Sequence, residues 1–173
     1  SFRDGLVLAE QATISELGLA ADLRRQSINP TKDVSYIVDR NINYTNVCNI
    51  YCSFCAFYSS AKTRKNGYLL SKNEIAEKVH EILPHKGIQI LLQGGLNPDL
   101  GIEWYEDLFR WFKKEFPSVN LHALSADEVW HISKVSNISL REVFNRLIAA
   151  GLGSFPGGGA EILVDRVRTR IAR

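Results

Sequence analysis

A fourth cysteine is what this 173-residue sequence most conspicuously lacks: it holds three, all inside the window Cys48-x-x-x-Cys52-x-x-Cys55. An odd count packed this tightly excludes a disulfide framework, because any one bridge would strand a thiol. Long apolar runs are missing too. None approaches the roughly 20 residues needed to cross a bilayer, so no membrane partner is expected. Neither sign of charge dominates, with 21 basic against 19 acidic side chains and a net charge of +2, so nucleic-acid binding is not expected either. The basic runs Lys62-Thr63-Arg64-Lys65 and Arg166 to Arg173 read as solvated surface. Low-complexity segments are absent, and no secretory leader opens the chain, which points to reduced thiols in a cytoplasmic setting.

What is present is enough for one domain with a real core, at a hydrophobic fraction of 45%. Thiolates are soft ligands for iron–sulfur clusters, zinc and copper, and this spacing lets one loop wrap a metal centre. Three thiolates would leave a four-iron cluster with one iron open to a further ligand. Structural zinc is the alternative, and it needs a fourth ligand from His80, His85, His122 or His131, none of which sits in a ligand pair.

The first 28 residues read as two short helices, the second opened by the capping box Thr13-Ile14-Ser15-Glu16 with Leu17, Ala20, Ala21 and Leu23 as its apolar stripe. Val34 to Val38 reads as a strand or hairpin arm, and Asn41 to Thr45 as an extended segment entering the cysteine loop. Beyond it come a helix over 71–83, a strand over 88–92, an aromatic-rich helix over 102–116, a strand over 119–123, helices near 127–135 and 139–150, and a short strand from about 152. The last segment, 162–173, is helical in pattern. Strand starts 31 and 33 residues apart fit successive strand–helix units with parallel strands. The fold class is α/β: a helical extension over 1–33, then the N-terminal half of a TIM-type (β/α) barrel over 34–173, cut short at its C-terminal end. A complete barrel takes about 250 residues; an open flavodoxin-like sheet is the alternative.

In such folds the C-terminal ends of parallel strands share one rim. The cysteine loop, Gln93-Gly94-Gly95, His122 to Ser125, and Phe155 to Glu161 are the four strand exits, and they should converge there. Phe54, Phe57 and Tyr58 can line the chamber or shield a metal centre. Gly94-Gly95 permits close backbone approach and free carbonyls, as an ordinary tight turn would. His122 faces either the barrel interior or the helix layer. Glu128 closes the capping box Ser125-Ala126-Asp127-Glu128, a duty that can explain it fully. Asn97 and Asp99 serve either substrate or a Pro98-Asp99 turn, and Asn41 and Asn43 are possible floor residues of a polar pocket.

The run Cys48-Asn49-Ile50-Tyr51-Cys52-Ser53-Phe54-Cys55 resembles the signature of the radical S-adenosylmethionine (SAM) superfamily, with Phe54 at its aromatic position. Within it, Asp39 to Cys48, Gln93 to Leu100 and Pro156 to Leu163 are similar to the dehypoxanthine futalosine cyclase family of menaquinone biosynthesis. The resemblance implies a radical-SAM barrel with a [4Fe-4S] cluster on Cys48, Cys52 and Cys55 and S-adenosyl-L-methionine on the fourth iron. Phe54, Gln93, Gly94, Gly95 and Glu161 become cofactor contacts, and His122 and Glu161 the candidates for the final proton. A one-electron donor would drive cleavage of the sulfonium, and the resulting carbon radical would take hydrogen from the ribose of dehypoxanthine futalosine before ring closure. Leu96 replaces an acidic residue usual at that position, the helix entry Ala126-Asp127-Glu128 lacks the usual proline, and Leu124 stands where phenylalanine is common. Aminofutalosine synthase and the deazaflavin-cofactor synthase are similar enough to be alternatives, as is a noncatalytic truncated fragment. Gln93 and Asn97 around Gly-Gly-Leu, Gly157 to Glu161, and Tyr44 with Tyr58 favour the cyclase.

Overall fold

A computed structural model describes residues 1–158 and 162–172. The chain divides into two compact units, Ser1–Tyr36 and Ile37–Arg173. In the first, α1 (Phe2–Gln11) and α2 (Ile14–Ile28) open on capping boxes, Ser1 with Asp4 and Thr13 with Glu16. Each box satisfies amides that the first helical turn leaves without partners. Neither helix buries a residue, so the stripe on α2 is amphipathic in sequence alone.

The second unit is built on a parallel sheet of β1 (Asp39–Asn43), β4 (Gln89–Gln93) and β5 (Asn120–Ala123), in the order β1-β4-β5. The register aligns Asn41 with Leu91 and Leu91 with His122. Alternation then divides the sheet, with Leu91 the apolar member of the otherwise polar face. Ile42, Ile90, Leu92, Leu121 and Ala123 are buried under the helices. Asn41, Asn43, Gln89, Gln93, Asn120 and His122 share the other face, as the Asn120–Gln89 side-chain bond of 2.8 Å attests. A polar face of this kind is what a barrel turns inward around its site.

Four helices contribute to the core over the apolar face. α3 (Lys72–His80) starts at the Ser71–Glu74 capping box and buries Ile75 and Val79. α4 (Ile102–Glu115) buries Ile102, Tyr105, Leu108, Phe109 and Phe112 at helical spacing and packs against α5 (Ala126–Ser136) and α6 (Leu140–Ala150). α7 (Asp165–Ile171) is the last element. A smaller parallel pair, β2 (Val47–Cys48) and β3 (Ser59–Ser60), ties the cysteine loop at its base.

Three expectations change. Residues 34–38 form no strand, and Val34, Tyr36 and Ile37 are exposed. The helix expected over 71–83 stops at His80, because Pro84 cannot donate to the previous turn and sits instead in a 3-10 segment, Leu83–His85. The strand expected near 152 shrinks to a single parallel bridge between His122 and Ser154, since Gly151 at φ 118° and Pro156 bracket a stretch too short to pair further.

Candidate active site

The site grows from the end of β1. Tyr44 turns its ring into the core against Trp104 and Tyr105, at centroid distances of 5.4 and 5.9 Å. Thr45 then sets the loop going: its hydroxyl donates to the Tyr68 carbonyl at 2.6 Å and accepts the Val47 amide at 3.2 Å. Cys48 is held in β2, with its carbonyl accepting the Ala61 amide at 3.0 Å and its sulfur accepting the Ile50 amide at 3.4 Å. Cys52 bridges Ala172, and the neighbouring Ser53 amide donates to the Ile171 carbonyl at 2.8 Å, so the end of α7 seats against the loop. Cys55 is exposed.

All three sulfur-bearing residues line one cavity of about 470 Å³, together with Phe54, Phe57, Tyr58, Asn43, Gln93, Gly94, Gly95, Glu128 and Gly158. The exits of β1, β4 and β5 therefore meet with Gly158 at one cavity, as the strand rhythm implied. Phe54 and Phe57 stand half exposed at its wall. Gln93 reaches across to the Gly157 carbonyl, donating from Nε2 at 3.0 Å.

The glycine turn is glycine because of what lies behind it. A Cβ on Gly94 would fall 2.6 Å from Cζ of Tyr44, and one on Gly95 2.4 Å from the Val47 carbonyl oxygen. The turn is thus pressed onto the root of the cysteine loop. Its backbone is engaged as well: the Gly95 amide donates to the Thr45 carbonyl at 2.9 Å, and the Asn49 amide donates to the Leu96 carbonyl at 3.1 Å. The Gly95 carbonyl accepts the Asn97 amide at 2.8 Å, so that group is not the free acceptor that the dipeptide alone suggested.

Glu128 goes beyond the capping duty that its motif announced. The box forms, with the Ser125 amide donating to Oε2 at 2.7 Å. Oε1 also accepts the Tyr44 hydroxyl at 2.8 Å and the Gly94 amide at 2.9 Å. Burial pushes its carboxyl up to about 7 against the pull of those donors. Burial likewise holds the Tyr44 hydroxyl well above its ordinary range.

His122 lies on the polar sheet face, its Nδ1 paired with Ser154 Oγ at 2.6 Å, and is not in the cavity lining. Asn97 and Asp99 serve their turn, with Asp99 paired to Arg64. Glu161, expected to contact both cofactor and substrate, lies outside the described residues. Trp130 lines the cavity although no sequence signal marks it, and Arg168, expected as solvated surface within the basic run 166–173, lines it as well. Trp130 follows Glu128 by two residues on α5, a position that only the helix orientation could reveal.

Among the described residues, no group of three or more His, Cys, Asp or Glu stands assembled to hold a metal ion. The fit to an iron–sulfur cluster is therefore one of donor chemistry and place: three thiolate donors, without a fourth, on one loop and one cavity.

Residues 42–173 match the family described as Radical SAM superfamily. The chain is similar to the cyclic dehypoxanthine futalosine synthase of Halalkalibacterium halodurans, 43% identical over 100% of this chain and 46% of that protein. It is also similar to 5-amino-6-(D-ribitylamino)uracil--L-tyrosine 4-hydroxyphenyl transferase 1 of Methanosarcina barkeri, 41% identical over 95% of this chain and 42% of that protein. The chain thus spans less than half the length of these curated relatives. The crystal structure of methylornithine synthase shares the fold, with a TM-score of 0.55 at 13% identity across 88% of this chain and 53% of that one. The architecture is that of a partial radical-SAM barrel, a parallel sheet with helices outside and not closed.

Proposed function

The chain belongs to the radical SAM superfamily, and from that premise we propose that it forms the N-terminal part of the barrel of an enzyme that cyclises dehypoxanthine futalosine in menaquinone biosynthesis. The meeting of cysteine loop, glycine turn and fourth exit at one cavity of about 470 Å³ carries the catalytic reading. That volume lies in the ordinary range of small-molecule sites. The 43% identity across the whole chain supports the choice of reaction.

Cys48, Cys52 and Cys55 would hold a [4Fe-4S] cluster, and Phe54, Gln93, Gly94, Gly95 and Glu161 would contact S-adenosyl-L-methionine beside it. When bound, these groups supply a carbon-centred radical once an external donor gives one electron. The chain's own residues shape the chamber. Phe54, Phe57 and Tyr58 give it an aromatic wall, which beside a bound cluster would influence its potential. Asn43 and the Gln93 amide offer polar contacts on the rim. His122, on the polar sheet face outside the cavity lining and steadied through Nδ1 by Ser154, and Glu161 are proposed as the groups to accept the proton released as the product forms.

The test uses the full-length protein, reconstituted anaerobically with iron and sulfide and supplied with reductant, SAM and dehypoxanthine futalosine. The expected result is a cyclic product with 5'-deoxyadenosine formed in step. SAM cleavage without cyclisation, together with coupling of tyrosine to 5-amino-6-(D-ribitylamino)uracil, would assign the transferase reaction of the second relative instead.

A further inference from the structure

Glu128 is 2% exposed, and its carboxylate gathers three donors from three separate places: Tyr44 Oη beyond β1, the Gly94 amide beyond β4, and the Ser125 amide at the start of its own helix. A capping box requires the last of these alone. The other two join the cysteine-loop strand to the glycine turn. Tyr44 acts twice in this arrangement, since its ring fills the space that a Cβ on Gly94 would need while its hydroxyl donates to the carboxylate. The same hydroxyl lies 3.0 Å from Tyr105 Oη, which carries the network into the core of α4.

A second observation points the same way. Leu124, fully buried, has φ 70°, a left-handed conformation that costs a branched side chain free energy. It turns the chain from β5 into α5, and its amide is fixed to the Leu92 carbonyl at 2.9 Å, two residues before Gly94. This left-handed residue directly precedes Ser125, the N-cap of the helix that carries Glu128.

We propose that Glu128 is a positioning residue that fixes the Gly94-Gly95 turn against the cysteine loop and thereby sets the affinity for SAM. The proposal rests on the radical SAM reading of the cavity. Around the carboxylate, Tyr44 and Tyr105 are the titratable groups from beyond β1 and from α4, and β4's exit presents the Gly94 amide. Asp127 on its own helix and Arg168 of α7 line the same cavity. His131, one turn further along α5, is paired with the Asn97 carbonyl.

The experiment compares the full-length reconstituted protein with Glu128→Ala and Glu128→Gln. Hydrogen exchange at the Gly94 amide is followed without SAM, and the SAM dissociation constant is measured at pH 6 and pH 8. In Glu128→Ala, Gly94 exchange should quicken and SAM affinity fall, each by about tenfold or more, because buried donors lose their partner, while iron content stays at the wild-type level. Wild-type affinity should be higher at pH 8 than at pH 6, since the ionised carboxylate accepts from all three donors more strongly than the neutral acid, and Glu128→Gln should flatten that difference. Unchanged Gly94 exchange and SAM affinity in Glu128→Ala at full iron content would overturn the proposal. Should the alanine variant fail to fold, a Glu128→Gln protein that keeps wild-type exchange and the wild-type pH profile would overturn it as well. A wild-type protein that takes up iron but binds no SAM would sink the radical SAM reading, while the Gly94 exchange still judges the clamp by itself.

Discussion

Glu128 carries a cost that its motif does not announce. In the folded chain its carboxyl is held at about 7 by burial, against 4.5 in the open. The folded state therefore keeps a proton that the unfolded chain releases. This contribution to stability is full below pH 4.5, declines as pH rises, and is gone above about 7, on the order of 3 kcal/mol by then. Denaturant titrations at pH 5 and pH 8 should accordingly differ more for the wild type than for Glu128→Gln; equal differences would refute the assignment. The capping partner of Glu128 was legible three residues away. Its other partners lie 34 and 84 positions off in sequence, Gly94 and Tyr44, and only the folded sheet brings them together. The same limit hid His122, whose strand position showed that it must face one side or the other but not that Ser154 would engage its ring.

At the scale of elements, two glycine environments make opposite forecasts. Gly95→Ala would drive a Cβ to 2.4 Å from a backbone oxygen of β2, and backbone cannot swing aside as a side-chain tip can. It should destabilise by roughly 1–3 kcal/mol and lower the iron bound per chain, measured together by thermal unfolding and metal analysis. Gly18→Ala, in the interior of α2 with nothing within 4 Å of its Cβ, should instead gain about 0.5–1 kcal/mol. On α4, Phe109→Ala empties a fully buried site and should cost about 3–5 kcal/mol, read as a lower denaturant midpoint. α4 was legible because its aromatics recur at helical spacing and nothing interrupts them. The end of α3 was misplaced by Leu83, an apolar residue that continues the pattern and yet is exposed after the helix stops ahead of Pro84. Local pattern reports which residues prefer burial, and a proline nearby can overrule it.

For the molecule as a whole, the interval between strands was enough to foresee a parallel sheet with its loops on one rim, because each strand must return across a helix to pair with the last. The rim explains the site. Cysteine loop and glycine turn touch since β1 and β4 are neighbours in the sheet, and Gly158 joins them through the Gln93–Gly157 bond. What periodicity could not give was the depth of that contact, in which both glycines are spaces filled by Tyr44 and Val47. Under the proposed function, Cys48, Cys52 and Cys55 hold a cluster with one iron left open at the cavity. Electron paramagnetic resonance of the reduced, reconstituted full-length protein, recorded with and without SAM, tests it most directly. The account predicts a [4Fe-4S] signal whose g values shift when SAM is added and which is lost in Cys48→Ser, Cys52→Ser and Cys55→Ser. A signal indifferent to SAM, or one that survives loss of any of these cysteines, would contradict it.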